Sequence, residues 1–438
     1  MKLINGFSRL NKNEKYDWIA QELGLKNGEL KKFLEMFSIK DSTIQNTFDS
    51  FSENTIGNFH LPFGVVPNMI INKSVYTLPM VIEESSVVAA VGHTAKFWSS
   101  RGGFKAQVIS TIKVGHIHFM WKGESHRLKS FFKKVECLLK IELVPFTRSM
   151  DKRGGGIVSI ALIDRTKDEP NYYQIEMKFE TCDAMGANFI NTVLEETSKI
   201  LQTKALEDSG LIGHEKNIDV IMCILSNYTP ECLVRSSVEC PISELGQIDN
   251  FEFSRRFIQA VKIAEIDISR ATTHNKGIMN GIDAICLATG NDFRAIESCL
   301  HTYACRTGTY RSLTQAKIQD ETLFFEITIP LSLGTVGGLT KLHPMAKFSL
   351  DLLGRPSSQE LMQIVASVGL AQNFAALRAL ITTGIQKGHM KMHLSNILDS
   401  HNIDAVQKES AIEYFSNKMV SVSAVRDFIQ SLSLNLPS

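Results

Sequence analysis

Lys276 stands in "HNKGIMNGIDAICLATGND", residues 274–292, a run of apolar and glycine residues that closes on Asp292. A lysine in such company is either solvated near a turn or a fixed cation secured by a nearby carboxylate. Glu83 and Glu84 lie in "PMVIEESSVV", again inside apolar sequence. Adjacent side chains point apart, so one of the two can face a given site. A carboxyl group that faces an apolar cleft can donate a proton near neutral pH. The other reading is a pair of acids at a helix N-terminus, where the dipole favours them. "DAMGAN", Asp183 to Asn188, is a small-residue turn that opens a helix after a strand. Such a turn can set backbone N–H groups against a phosphate, although an Asp N-cap explains the same residues. His389 and His393 in "KGHMKMH" are spaced to share a helix face, and His116 and His118 to share a strand face. Neither pair brings the glutamate or the third ligand of a zinc site, so no metal is expected.

The elements that must position these groups are readable from periodicity. "EKYDWIAQELGL" and "GELKKFLEMF" are helical, and "NFHLPFGVVPNMIINKSVYTLPMV" brings turns and short strands. "SSVVAAVGHTAKFWSS" is a small-residue helix ended by Gly102 and Gly103. "AQVISTIKVGHIHFMW" alternates as a strand, "ESHRLKSFFKKVECLLK" is an amphipathic helix, and "GGGIVSIALID" and "YYQIEMKFETC" are strands. "AMGANFINTVLEETSKILQTKAL" is a helix before the strand "IDVIMCILSN". Two strand–helix–strand units predict a small α+β domain inserted at 106–222. The larger domain then comprises 1–105 and 223–383, and a helical segment, 384–438, follows.

A chain of 438 residues, 44% hydrophobic, can bury more than one core. Its net charge of +1 argues against nucleic acid as the main partner. The eight cysteines form no CxxC pair and read as free thiols of a reducing cytoplasm. The N-terminal stretch has no apolar signal region. "LMQIVASVGLAQNFAALRALITTGI", the most apolar long run, carries Gln363, Gln372, Asn373 and Arg378, and so reads as a buried helix of a soluble protein. No GxGxxG fingerprint occurs.

Taken together, the segments resemble 3-hydroxy-3-methylglutaryl-coenzyme A reductase of the soluble bacterial type. The stretches that carry the likeness run in the family's order from about 53 to 393. They are "ENTIGNFHLPFGVV", "LPMVIEESSVVAA", "DAMGANFINT", "ILSN", "RATTHNKGIMNGIDAICLATGNDFRAIE", "GTVGGLTKLHP", "VGLAQNFAALRAL" and "GIQKGHMKMH". The segment 122–153 resembles the family only loosely. The resemblance implies an α+β fold: a large substrate-binding domain, an inserted ferredoxin-like, non-Rossmann dinucleotide-binding domain and a C-terminal flap. It implies a two-step hydride reduction of the thioester to mevalonate and coenzyme A, or the reverse.

In the roles so implied, Lys276 holds the thioester oxygen, Asp292 tunes that lysine, and Glu84 supplies the proton for carbonyl reduction. His389 protonates the departing coenzyme A thiolate, which is downhill because an imidazolium is a stronger acid than a thiol. Ser86, Asn227, Arg270 and Asn280 contact the hydroxymethylglutaryl group. Asp183, Ala184, Met185, Gly186 and Asn188 form the nicotinamide dinucleotide site, with "GTVGG" (334–338) close-packed beside it. Arg9 is a candidate for coenzyme A, His393 is structural, and the active site lies between the subunits of a cytoplasmic homodimer.

For the nucleotide, the segment before Gly154 is "PFTRSMDKR". An acidic residue there would bond a ribose 2′-hydroxyl and select NADH. The slot falls near Thr147 or Arg148, with Asp151 close by. Arg148, Lys152 and Arg153 can pair a 2′-phosphate instead, so the local charge favours NADPH over the alternative, NADH. A non-catalytic, cofactor-binding relative would have lost Lys276, Glu84, Asp292 or His389, and all four are present. A thiolase-like enzyme would need a cysteine set beside a histidine, and none is readable.

Overall fold

In the computed structural model of the chain, the described residues are 3–26, 28–382, 394, 397–398, 401, 403–415, 418 and 420–434. The N-terminal helices are α1 (Lys12–Leu23), α2 (Glu29–Glu35) and α3 (Ser42–Asp49). Asn11 and Glu14 close a capping box on α1, and Gly24 ends it in the left-handed region. A hairpin follows, β1 (Phe63–Ile71) with β2 (Ser74–Val81), then α4 (Val87–Ser99) and β3 (Lys105–Val108).

The next stretch is β4 (Lys113–Met120), α5 (Ser125–Glu142), α6 (Val144–Asp151), β5 (Gly156–Asp164), β6 (Tyr172–Glu180), α7 (Ala187–Glu207) and β7 (Asp219–Leu225). Its four strands form an antiparallel sheet in the order β5-β6-β4-β7. Phe131, Leu139, Ile190 and Leu201 from the helices meet Ile117, Phe119, Ile175 and Phe179 from the sheet in a core of their own.

The chain then returns through β8 (Leu233–Pro241), α8 (Asn250–Ile266), α9 (Ile268–Ala288), α10 (Phe293–Ala304), β9 (Thr314–Gln319) and β10 (Thr322–Pro330). After these come α11 (Gly338–Leu342), α12 (Pro344–Leu352) and α13 (Ser358–Ile381). A second antiparallel sheet has the order β3-β8-β10-β9. Trp98, Phe257, Phe325 and Phe374 meet in its core.

Helix α13 is the apolar run of the sequence. By length and composition it could cross a membrane, yet 67% of its most apolar window is buried against the rest of the chain. It packs on α9, α4, β8 and β3. A Cβ on Gly281 would stand 3.0 Å from the Val368 carbonyl, and one on Gly369 2.9 Å from Ile282. Glycines on both helices thus let the two axes approach closely.

One expectation changes. The run "AQVISTIKVGHIHFMW" is two strands in different sheets: β3 pairs with β8, and β4 pairs with β6 and β7. The break falls at Ile109 and Ser110, whose N–H groups both donate to the Leu233 carbonyl. Alternation reports a strand but not which sheet receives it. The sheet that receives β4 runs from Lys113 to Leu225 in the chain. Beyond α13, residues 383–393, with His389 and His393, lie outside the described residues. Farther on, Ala405–Tyr414 and Val422–Leu434 are helices, and Leu398, Ala411 and Val425 share a small core.

Candidate active site

Lys276 is on neither a turn nor a loop; it projects from the middle of α9. Asp267 starts that helix by accepting from the Ser269 and Arg270 N–H groups. Its buried face is anchored by His274, whose Nε2 lies 2.6 Å from Thr314 Oγ1, and by Asn275, which donates to the Arg311 carbonyl. Burial holds the His274 imidazole neutral, its pKa lowered to about 3. The other face presents Lys276 and, one turn on, Asn280. Lys276 Nζ donates to Glu84 Oε2 at 2.7 Å, and Asn280 Nδ2 donates to the same oxygen at 3.3 Å.

Glu84 arrives from the loop between β2 and α4, two residues before the N-cap, Ser86. The first turn of α4 holds no acidic residue, so the helix-terminus reading of the Glu83–Glu84 pair does not describe it. Ser86 itself is held at φ 73° with no side-chain cap bond. A non-glycine residue kept in that region marks a backbone determined by its surroundings. Side-chain exposures of 60% for Lys276 and 38% for Glu84 leave the pair open to a ligand. Asp292 caps α10 through the Ala295 N–H and pairs with Arg294 at 3.2 Å. Its described oxygen contacts therefore go to α10 rather than to Lys276. Arg270 is half-buried on the first turn of α9, and burial pushes its pKa down.

A second cluster forms at the Asp183–Asn188 turn. Gly186, at φ 98°, is the N-cap of α7 and offers no side chain to the first-turn N–H groups. Asp183 does not cap this helix. Its Oδ1 accepts from Ser358 N at 2.7 Å at the start of α13, and its carbonyl accepts from Thr335 N at 2.9 Å. A Cβ on Gly334 would come within 2.5 Å of Met185 N, so only glycine lets the 334–338 segment lie on this turn. Gly334 N in turn donates to Asn291 Oδ1 at 2.9 Å. Asn291 precedes Asp292, so this chain of contacts links the turn to the end of α9. A small crevice at the junction is lined by Met185, Asn227, Ala295, Cys299 and Ser332 among others. Lys276 and Glu84 stand outside that lining.

The basic segment borders the same turn. The Arg153 carbonyl accepts from Cys182 Sγ, and a Cβ on Gly155 would meet the Glu180 carbonyl at 2.5 Å. Arg148, Lys152 and Arg153 are exposed. Thr147 is buried, and its hydroxyl donates to Asp151 Oδ2 at 2.7 Å. Among the remaining candidates, Arg9 is exposed near the N-terminus, and His118 bonds the Tyr172 hydroxyl while His116 stands 3.6 Å from Glu176.

Sequence reasoning missed Lys113 and Thr181, both buried beneath the Asp183–Gly186 turn. The signal was there. Strand alternation puts Lys113 in phase with Gly115, Ile117 and Phe119, all on the core face of β4.

The family model for hydroxymethylglutaryl-coenzyme A reductase matches residues 12–394. The 3-hydroxy-3-methylglutaryl-coenzyme A reductase of Archaeoglobus fulgidus is 36% identical over 402 residues, covering 90% of this chain and 86% of the relative. A probable reductase of the same name from Borreliella burgdorferi is 32% identical, covering 94% and 93%. Among solved structures, the class II reductase from Streptococcus pneumoniae bound to NADPH in open conformations is 34% identical. It aligns with a TM-score of 0.71 over 86% of this chain and 99% of its own. With the mixed α/β fold and its antiparallel sheets, these matches define the class of the protein, an oxidoreductase. The chain belongs to the hydroxymethylglutaryl-coenzyme A reductase family.

Proposed function

We propose that the chain reduces 3-hydroxy-3-methylglutaryl-coenzyme A to mevalonate and coenzyme A in two hydride steps, using NADPH. The observation that carries this reading is the ion pair of Lys276 and Glu84, exposed on a rigid helix face with Asn280 bonded to the same carboxylate. Reducing a thioester carbonyl builds negative charge on its oxygen. A preorganised cation stabilises that charge, and an adjacent acid supplies the proton. Lys276 is the cation in this reading and Glu84 the proton donor. Ser86, Asn227, Arg270 and Asn280 hold the acyl group, and Asp292 is assigned the tuning of Lys276. His389, outside the described residues, is assigned the protonation of the thiolate, carried on a C-terminal flap beginning near 384.

The residues present fit a dinucleotide. The first turn of α7 has no side-chain cap, Gly334 keeps the turn free of a competing side chain, and cations stand beside it. NADPH bound there supplies the hydride. Asp183, Ala184, Met185, Gly186 and Asn188 hold it, and Arg148, with Lys152 and Arg153, faces the 2′-phosphate. Asp151 is exposed as well, but its Oδ2 accepts from Thr147, and three exposed cations outnumber it in the segment, which favours NADPH over NADH. The βαββαβ unit from Lys113 to Leu225 has the strand order of a ferredoxin-like domain and is assigned this binding role. The flanking parts form the substrate domain.

A homodimer is supported by exposed apolar side chains on the hairpin and on α11 and α12. Val65 and Val75 on the hairpin, and Leu339, Leu342, Met345 and Phe348 on α11 and α12, are exposed, and Phe63 touches Phe348 across the two elements. A cytoplasmic site fits the unpaired cysteines of the described residues.

The purified protein, given the thioester and reduced nucleotide, is expected to oxidise two nucleotides per coenzyme A released. Absorbance of the nicotinamide and a thiol assay check this together. Thiol release without nucleotide oxidation would reject the reading.

A further inference from the structure

Lys113 opens β4 on the core face of the strand and is 3% exposed. A lysine that far from water is costly unless its charge is used. Its ammonium donates to the Thr181 hydroxyl, and to the Ala184 carbonyl at 3.0 Å. Thr181, fully buried, passes the contact on by donating to the same carbonyl at 2.7 Å. Both described partners are neutral oxygens. The positive charge is therefore not cancelled at contact distance, and it sits directly behind the turn Thr181–Gly186. Gly186 is pressed on Thr181 so closely that a Cβ would meet Thr181 Cγ2 at 2.6 Å, so a shift of Thr181 moves the N-cap of α7. The site thus has two layers, the backbone of the turn in front and one buried ammonium behind it.

We infer that Lys113 is a positioning residue of the dinucleotide site, setting the Ala184 peptide and supplying from behind the positive potential that draws a diphosphate onto the first turn of α7. This rests on the reading of the turn as the nucleotide site. An ammonium against the Ala184 carbonyl polarises the peptide it shares with Met185 and strengthens the Met185 N–H as a donor. Its field adds to that of the helix terminus, which by itself carries only a partial charge. Burial presses the Lys113 pKa down, while Cys232, Glu180, Cys182 and Asp183 around it act the other way.

The test is titration of the purified full chain with NADPH by nucleotide fluorescence, alongside steady-state kinetics, for the parent, Lys113→Met, Lys113→Arg and Thr181→Val. Lys113→Met is expected to raise the NADPH Kd about tenfold, a difference of about 1.4 kcal/mol, and to flatten its salt dependence. The KM for the thioester should stay within about twofold, since the loss is confined to nucleotide binding. Lys113→Arg should recover most of the affinity. If Lys113→Met does not fold, Thr181→Val, nearly isosteric, gives the same reading through the second contact. Unchanged NADPH affinity in Lys113→Met, or in Thr181→Val where that variant stands in, overturns the inference and leaves the reductase reading in place. So does a parallel loss of thioester KM, NADPH Kd and Tm, which would make Lys113 a general structural brace. A parent chain that binds no reduced nucleotide overturns both.

Discussion

At the scale of single residues, the site depends on one ammonium placed against one carboxylate from a segment 192 positions away. Lys276 has no second cation beside it on the exposed face of α9, where Asn280 is its neighbour one turn on. Lys276→Ala is therefore expected to lower kcat by about 10²–10³-fold, the usual cost of losing one oxyanion donor. The fold should survive, because the side chain is 60% exposed. Circular dichroism with steady-state kinetics checks both halves, and retention of more than a small fraction of kcat in a folded variant would remove Lys276 from the mechanism. Nucleotide choice belongs to this scale too. Arg148→Glu reverses an exposed charge beside the proposed dinucleotide turn and is expected to reduce the kcat/KM preference for NADPH over NADH by about tenfold. No change would shift the assignment to Lys152 and Arg153.

Between elements, the packing of α9 on α10 holds a pair of carboxyl groups, Asp283 and Glu297. Burial first, then the Glu297 charge and hydrogen bond, raises the Asp283 pKa far above the carboxylate range. One Asp283 oxygen is buried without a hydrogen-bond partner. The folded value thus lies above the unfolded one of about 4. Below the unfolded value the pair contributes its full stability. Between the two values the folded chain holds a proton that the unfolded chain has released, and stability falls as pH rises through that window. Asn reproduces the neutral acid without the titration. Asp283→Asn is expected to show a flatter urea midpoint between about pH 5 and pH 8 and a higher midpoint than the parent at the upper end. Parallel curves for the two proteins would mean that the pair does not titrate in this range.

For the molecule as a whole, two sheets with separate cores meet at the turn that carries Asp183 and at the segment that carries Gly334. Ser358 and Thr335 donate to Asp183 across this junction, Ser358 Oγ donates to the Cys182 carbonyl, and Lys178 pairs with Glu231. Val65 and Val75 on the hairpin, with Leu339, Leu342, Met345 and Phe348 on α11 and α12, are exposed apolar side chains. Leu342→Glu places a charge among these side chains and is expected to shift the proposed dimer to monomer in sedimentation equilibrium, with loss of turnover. A charged variant that remains dimeric would locate the interface elsewhere.

The chemistry-bearing residue types are legible in the linear chain. Glu84, Lys276 and the Asp183–Asn188 turn stand in segments whose local pattern is their own, Asn280 enters through the family resemblance, and helices such as α1, α7 and α13 follow from periodicity. Partner choice is not legible there, because it depends on packing between distant segments. Only the tertiary structure turns "HNKGIMNGID" into a helix whose Gly281 lies on Val368, and pairs Lys276 with Glu84 while Asp292 bonds along α10. It alone divides one alternating run between two sheets, since a strand's period says which face is buried but not against what. Lys113 combines the two levels. Its phase in β4 predicts burial, and the Thr181–Gly186 turn above it decides where the buried charge is directed.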